Sequence, residues 1–470
     1  MNKPFHNALE RALDHSLRHL GSLDTSPVGA TRNLETMRRQ LMKPLGASPL
    51  PAEQVIDELV ADAAGGVVGC AGGRFFAWVV GGALPASLAA DWLTSAWDQN
   101  AGLYASGPAA AIAEEACGVW LKDLLRLPED ASFALVTGCQ MAHATCLAAA
   151  RHAVLRSVGW DVEDRGLFGA PAIRIVAGCE RHGSIVRAVR LLGLGKSNIV
   201  DLPVDDDGHL RPATLAAELE RERDRPAVVL LHAGDLNIGA YDPFKKLIPL
   251  AKRHGAWVHV DGARGLWAAA SPRLRHLLEG AEMADSWATD GHKWLNVPYD
   301  CGYAFVKDRE GHHAAMSHRE SYLIHDADAR DQMDWNPEWS RRARGFATFA
   351  ALRQLGRAGV AELVERCCDH ARALVLGIGR LPGAEVVWEP RINQGLVRFL
   401  DPSTGATEPD HDRWTDRAIA EINASGEAFF GGTIWRGRRC MLVSVSNWQT
   451  SEADVARVVQ AFDRILKKRC

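Results

Sequence analysis

One lysine of the chain stands in a setting that suits covalent chemistry. Lys293 lies in segment 290–294 (DGHKW), and the apolar or rigid residues Leu295, Pro298 and Tyr299 follow it closely. A lysine that forms an imine must be held in place and must lose its proton, and a polar turn with an apolar surround suits both needs. A lysine in a loop is usually a solvated surface charge, so the prediction depends on these neighbours.

A carboxylate at the end of an apolar strand is the second candidate. Asp261 follows the strand predicted over 257–260 and precedes Gly262 and Ala263. A carboxylate in such a place needs a cationic partner or strong hydrogen-bond donors. The protonated ring nitrogen of pyridoxal phosphate is such a partner, and the pairing keeps that ring an electron sink. The small Ala263 would let a flat ring lie close to the backbone, whereas a turn or helix-capping aspartate is the structural alternative.

Three more turns after predicted strands carry candidate cofactor ligands. In segment 137–142 (TGCQMA), backbone N–H groups at a helix start could hold a phosphate, and Gly138 permits close approach. His182 could stack on the cofactor ring and move protons, or it could cap a helix. Asn237, in the Gly-rich turn 234–239, could reach the phenolic oxygen of the ring or simply hold the turn.

The elements that must position these residues alternate along the chain from about residue 110 onward. Helical segments separate short apolar strands, which are predicted over 133–136, 173–176, 199–200, 228–231, 257–260 and 303–306. This alternation indicates a mostly parallel sheet flanked by helices on both faces. Ligands of such sheets bind at the carboxyl ends of the strands, which is where the candidate residues stand.

The chain divides into three predicted parts. Residues 1–75 are predicted to form a helical N-terminal arm, residues 76–345 a large α/β domain, and residues 346–470 a smaller α+β domain with strands over 395–400 and 441–445. The arm begins with leucines at helical spacing, which predicts an amphipathic helix without an evident local partner: Leu9, Leu13, Leu17 and Leu20. Such a helix packs either on another subunit or on its own domain.

Composition and short motifs exclude several classes of protein. The net charge is −4, and no basic stripe indicates a nucleic-acid partner. The ten cysteines form no CxxC pair, so no metal site is predicted and a reducing compartment is expected. The N-terminal helix is unlike a signal peptide, and the apolar stretch 75–90 is too short to span a bilayer, so a cytoplasmic protein is predicted. Segment 195–197 (GKS) ends like a P-loop, but Arg190 stands where its first glycine belongs, and no GxGxxG is present.

The order of these motifs resembles that of the fold-type-I pyridoxal-phosphate enzymes, and specifically the group II amino-acid decarboxylases. Segment 259–263 (HVDGA) resembles the HVDAA run of that family, and segment 290–294 resembles its (S/D)xHKW run. Segments 340–344 (SRRAR) and 351–356 (ALRQLG) are similar to its C-terminal motif. The resemblance extends from about residue 60 to the C-terminus, and it implies pyridoxal phosphate as cofactor and a helix-flanked, mostly parallel sheet.

The resemblance also implies roles for single residues. Lys293 would form the imine with the cofactor, Asp261 would pair with the pyridine nitrogen, and His182 would stack on the ring. The phosphate would be held by backbone at a helix start and by a neighbouring imidazole: Cys139, Gln140 and His292. Members of the family are dimers with the active site at the subunit interface and with exchanged N-terminal arms, which suits the amphipathic first helix.

The implied reaction is decarboxylation of an L-amino acid to the amine and carbon dioxide through an external aldimine and a quinonoid. The aromatic stretch 75–82 (FFAWVVGG), which includes Trp78 and Val80, favours an aromatic or apolar substrate. The same stretch could equally be an ordinary core segment. The sequence does not name the amino acid.

Three departures from the family pattern leave the reaction open. His143 stands where the family usually has a smaller polar residue, and it could alter phosphate or substrate contacts. Leu442 replaces an arginine that related sequences tend to carry, which argues against substrates with a carboxylate side chain. Segment 325–339 contains no tyrosine to protonate the substrate carbon, and Tyr322 lies at its edge. Transamination, Cα–Cβ cleavage, oxidative decarboxylation to an aldehyde and a non-catalytic cofactor-binding protein therefore remain alternatives.

Overall fold

A computed structural model describes residues 3–318, 320–321, 323–326 and 328–467 of the chain. They form two compact units that interleave along the sequence. We call Ala83–Asp369 with Pro390–Gly395 the large unit, and Met1–Gly82, His370–Glu389 and Leu396–Cys470 the small unit. The predicted boundaries at residues 75 and 345 divide the chain into consecutive segments. The two units are interleaved, so they do not test these boundaries, which stay a prediction.

The helices of both units are numbered in chain order. They are α1 (Lys3–Ser22), α2 (Leu34–Leu41), α3 (Ala52–Ala63), α4 (Pro85–Trp97), α5 (Pro108–Leu124), α6 (Cys139–Arg156), α7 (Val162–Arg165), α8 (Gly183–Leu191), α9 (Pro212–Arg221), α10 (Phe244–Arg253), α11 (Arg309–Met316), α12 (Gly345–Gly379), α13 (Glu408–Ser425) and α14 (Glu452–Lys467). Helix α12 is interrupted at Gly356, whose backbone has φ 59°. Among the described residues, no helix is both long and apolar enough to cross a bilayer.

A seven-stranded sheet forms the centre of the large unit. Its strands are β1 (Ser132–Val136), β2 (Arg174–Gly178), β3 (Ile199–Leu202), β4 (Ala227–His232), β5 (Trp257–Asp261), β6 (Ser286–Asp290) and β7 (Gly302–Val306). They are ordered β1-β7-β6-β5-β4-β2-β3, and only β7 runs antiparallel to its neighbours. The predicted fold class is thus confirmed, although β6 was missed because serine, threonine and aspartate interrupt its apolar pattern.

Burial explains why most strands of the large sheet are apolar. Every residue of β1, β2, β4, β5, β6 and β7 is buried, as expected of a sheet that helices cover on both faces. The parallel register sets His232 beside Asp261 and Asp261 beside Ala288. The carboxyl ends of β4, β5 and β6 therefore meet at one edge, and the polar residues at those ends become neighbours.

Most of a second sheet lies in the small unit, together with the N-terminal helices. Its strands are β8 (Ala384–Trp388), β9 (Gln394–Phe399), β10 (Gly431–Trp435) and β11 (Arg438–Ser444), in the order β10-β11-β9-β8. Helix α1 is amphipathic, as predicted, and its polar face pairs with α3 through Arg11 and His15, which lie 2.8 and 2.7 Å from Asp57. Four residues of its apolar face are 44–69% exposed: Phe5, Leu9, Leu13 and Leu17.

Candidate active site

A cavity of about 300 Å³ opens in the large unit where the predicted residues converge. Its walls come from the turns that follow β1, β2, β4, β5 and β6, the strand ends at which ligands bind in sheets of this type. Eight of the residues predicted for the site line it: Gly138, Cys139, Gln140, His182, Asp261, Ala263, His292 and Lys293.

Lys293 is held by a buried carboxylate. Its Nζ lies 2.7 Å from Oδ2 of Asp290, the last residue of β6, and the Asp290 side chain is 2% exposed. The other oxygen, Oδ1, accepts the backbone N–H of Cys139 at 2.5 Å and lies 3.4 Å from Nε2 of His292. Asp290 was quoted within the lysine motif but not predicted as a site residue, and its position three residues before Lys293 was the available signal.

Asp261 is an ionised carboxylate with few hydrogen bonds. It ends β5, is 6% exposed, and accepts the backbone N–H of Ala263 at 3.1 Å. Burial alone would raise the pKa of Asp261, but His143, His232 and the Ala263 N–H together hold it below its ordinary value. A buried carboxylate that stays charged beside a cavity is prepared to bind a cation there.

Helix α6 begins at the cavity, where one side-chain donor lacks a partner among the described residues. Gly138 precedes the helix without a side-chain cap, and a Cβ at this position would lie 2.9 Å from Cε1 of His292. The Nε2 atom of Gln140 is buried and has no hydrogen-bond partner among the described residues. Burial raises the pKa of the Cys139 thiol well above its ordinary value, so the thiol is neutral. The helix start thus offers N–H groups to an anion without a competing negative sulfur.

His182 caps a helix, which is one of the two roles that the sequence left open. Its Nδ1 accepts the backbone N–H of Ser184 at 3.2 Å, so the ring caps α8. The ring is also accessible from the cavity, where desolvation lowers its pKa to about 4. Because Nδ1 accepts a hydrogen bond, the neutral ring carries its proton on Nε2. His182 is therefore an oriented donor at the cavity wall.

Other predicted residues lie elsewhere. Asn237 is outside the cavity lining, and its amide nitrogen lies 3.4 Å from Oε2 of Glu180. His143 is fully buried behind Asp261 and does not reach the cavity wall. Trp78 and Val80 belong to the small unit, where Trp78 packs against Phe429 with ring centroids 5.5 Å apart. Tyr322, the remaining predicted residue, lies outside the described residues.

Two basic residues of the lining were not predicted. His232 ends β4, and its buried Nε2 has no partner among the described residues. Arg264 donates from Nη1 to the backbone oxygens of Asp235 (3.2 Å) and Leu236 (2.6 Å) and to Oε1 of Gln394 (3.5 Å). Each residue follows or ends a predicted strand, and this was the signal that could have identified them.

Comparison with known proteins decides the family. The model of the pyridoxal-dependent decarboxylase conserved domain matches residues 35–400, which is well over half of the chain. The chain belongs to this decarboxylase family. It is a pyridoxal-phosphate-dependent amino-acid carboxy-lyase, as the resemblance predicted.

Relatives of the decarboxylase act on different side chains. Tryptophan decarboxylase 1 of Oryza sativa subsp. japonica is 28% identical over 468 residues, which cover 93% of this chain and 89% of the relative. The acidic amino acid decarboxylase GADL1 of Xenopus tropicalis is 28% identical over 350 residues, 73% of this chain and 67% of the relative. The crystal structure of Oryza sativa TDC with PLP and tryptamine has the same fold, with a TM-score of 0.93, 24% identity, and coverage of 100% of this chain and 98% of that one.

The donors and acceptors of the decarboxylase cavity match the groups of pyridoxal phosphate. Lys293 provides the amine, Asp261 the anion for a ring nitrogen, and the start of α6 the N–H groups for a phosphate. Nδ1 of His292 accepts the Cys301 N–H at 3.1 Å, so its Nε2 is a donor as well. The unpaired Nε2 of Gln140 would gain a partner, and the Asp290 carboxylate at the Cys139 N–H shows that the helix start accepts an anionic oxygen. The residues therefore fit the cofactor.

Proposed function

We propose that the decarboxylase converts an L-amino acid into its amine and carbon dioxide in the large-unit cavity, with Lys293 as the lysine that binds the cofactor. The observation that carries this proposal is the convergence of Lys293, Asp261 and the start of α6 on one cavity of about 300 Å³. Pyridoxal phosphate, when bound, supplies an electron sink for the pair of electrons that the leaving carboxylate releases.

Residues of the chain supply the remaining steps in this proposal. Lys293 must lose a proton before it reacts as a nucleophile, and Oδ2 of Asp290, at 2.7 Å, is positioned to accept it. Asp261 stays ionised and holds a protonated ring nitrogen. His182 lines the cavity as a neutral ring, and its Nε2–H would donate a hydrogen bond to a bound substrate.

Two classes of substrate have support. The similarity to a tryptophan decarboxylase favours an aromatic amino acid. Arg264 favours an acidic one, because it lines the cavity and its hydrogen bonds to described residues use Nη1 alone. A guanidinium with unused N–H groups can bind a substrate carboxylate in a bidentate manner.

The test is a product balance with purified protein and pyridoxal phosphate. We expect one amine for each carbon dioxide released from tryptophan, phenylalanine, tyrosine, aspartate or glutamate, with mass spectrometry identifying the amine. Ammonia, aldehyde and peroxide in place of amine would establish the oxidative route. Bound cofactor without carbon dioxide from any amino acid would contradict the proposal and indicate a non-catalytic protein.

Arg264→Gln separates the two substrate classes. If Arg264 binds an acidic side chain, kcat/KM for aspartate or glutamate falls at least about tenfold, since a hydrogen-bonded charge pair contributes on the order of 1.5–3 kcal/mol. Arg253→Gln, which changes an exposed arginine at the end of α10, is the matched control. Equal loss with acidic and aromatic substrates would show that Arg264 holds the turn through Asp235 and Leu236 instead.

We also propose a homodimer in which a second copy covers α1. The exposed leucines of α1 form a continuous apolar face, and burying it against a like face stabilises association. The mass in solution, measured by light scattering, is expected to be that of two chains. A monomer at micromolar concentration would contradict this arrangement.

A further inference from the structure

A line of buried polar contacts runs from the sheet to the back of Asp261. Nε1 of Trp257 lies 2.9 Å from Oγ of Ser286, which lies 2.9 Å from Nδ1 of His259. Nε2 of His259 lies 2.9 Å from Nδ1 of His143, whose Nε2 is 3.6 Å from Oδ2 of Asp261. All five side chains are buried. We call the four that lead to Asp261 the imidazole relay: Trp257, Ser286, His259 and His143.

The position of each proton along the relay can be worked out from its outer end. An indole N–H only donates, so Ser286 Oγ accepts from Trp257. If Ser286 then donates to Nδ1 of His259, each imidazole passes a hydrogen bond inward, and Nε2–H of His143 faces Asp261. If every bond after the first is reversed, Nε2 of His143 instead presents a lone pair to that carboxylate.

The charge of Asp261 selects between these two orders. Burial lowers the pKa of His143, and it lowers the pKa of His259 to about 3, so both rings are neutral near pH 7. A lone pair and a carboxylate oxygen 3.6 Å apart repel each other, and the repulsion is strong where water is excluded. The inward order replaces this repulsion with attraction to an N–H group.

We propose that His143 is a positioning residue whose Nε2–H, fixed by the relay, holds Asp261 ionised and oriented toward the cofactor. The proposal rests on the proposed function only in that Asp261 faces the ring nitrogen of pyridoxal phosphate. It gives a physical role to a histidine that departs from the family pattern and does not reach the cavity. The nearby Sγ of Cys139, 3.4 Å from Nε2, is a second acceptor for the same proton.

The proton order can be measured in the cofactor-free chain by ¹⁵N spectroscopy of selectively labelled histidine. Protonated and unprotonated ring nitrogens have well-separated chemical shifts, and His143→Gln and His259→Gln assign the signals. We expect a protonated Nε2 and an unprotonated Nδ1 in both rings. An unprotonated Nε2 of His143 would overturn the proposal, and would suit instead a metal ion held by Cys139, His143 and Asp261, whose ligand atoms lie within 4.8 Å of one another.

Cofactor affinity tests the consequence. His143→Leu is expected to weaken pyridoxal phosphate binding about tenfold to hundredfold, as expected for loss of a hydrogen bond to a buried charge. His143→Gln restores an N–H donor and is expected to recover most of the affinity. The matched control is His152→Leu, which removes another buried imidazole from α6. Wild-type affinity in His143→Leu, or equal losses in the leucine and glutamine variants, would overturn the proposal.

Two further variants keep the test decisive. If His143→Leu does not fold, Ser286→Ala removes the hydroxyl that orders His259, and mixed proton positions are expected in the ¹⁵N spectrum; an unchanged spectrum would overturn the relay. Asp261→Ala separates this proposal from the proposed function. Unchanged cofactor affinity in that variant would refute the role of Asp261 at the ring nitrogen, whereas the ¹⁵N measurement still decides the proton order.

Discussion

The two sheets of the molecule use buried charge differently. In the small unit, Arg398 of β9 is 1% exposed, and its guanidinium pairs with Glu408 at 2.7 Å and Asp412 at 3.0 Å. In the large unit, Asp261 ends β5 with one backbone N–H and an imidazole 3.6 Å away. A buried charge that is paired with carboxylates is structural, whereas one that lacks a cationic partner beside a cavity is prepared for a ligand.

The two sheets also differ in the exposure of their strands. The first four residues of β10 alternate between partly buried and exposed, and β8 is half-buried throughout, so polar groups on these two strands can reach solvent. The six fully buried strands of the large sheet leave polar groups to lie at strand ends or to bond within the sheet. Chemistry is therefore concentrated at the edge where those ends meet.

The strongest test of this contrast removes the lysine at the large-sheet edge. Lys293→Ala is expected to abolish the visible imine absorbance and to lower turnover at least about thousandfold, because no other amine replaces the nucleophile. Borohydride reduction followed by peptide mass spectrometry should place the cofactor on Lys293 in the wild type. Lys307→Ala, at an exposed lysine just after β7, is the matched control and should retain both properties. A retained absorbance band in Lys293→Ala would end the assignment of this edge as the active site.

A core change in the small sheet should affect stability alone. Leu396 of β9 is fully buried, so Leu396→Ala is expected to lower the free energy of unfolding by about 2–5 kcal/mol. Denaturant titration measures this loss, and the imine absorbance per folded molecule should not change. If the absorbance of the folded fraction fell in step with stability, the two sheets would not be as different as we argue.

A smaller effect concerns the pH dependence of stability. The pKa of His259 is about 3 in the folded chain, chiefly because of burial, against an ordinary value of 6.5. Between these values the unfolded chain binds more protons, so the free energy of unfolding falls as pH falls, by up to about 1.4 kcal/mol per pH unit. His259→Gln should therefore flatten the dependence measured in denaturant between about pH 7 and pH 5. Identical slopes for the wild type and this variant would show that His259 does not contribute.

Much of the large unit was predictable because its signals are local. Apolar runs such as 228–231 and 257–260 became β4 and β5, and in the small unit the spacing of leucines predicted α1. The motif around Lys293 and the strand-end position of Asp261 identified the cavity residues, because strand ends converge in any parallel sheet. Strand β6 was not predicted, since its serine, threonine and aspartate interrupt the apolar pattern although all of its residues are buried.

The sequence by itself thus determined most strands of the large sheet, the family and eight of the cavity residues, since each depends on neighbours in the chain or on motif order. Only the tertiary structure decided what surrounds Asp261. His143 and His259 are 116 residues apart and meet because α6 packs on the sheet beside β5. The tertiary structure also placed Asn237 outside the cavity lining and next to Glu180. Contacts of this kind depend on strand order and helix packing, which the local pattern of residues does not encode.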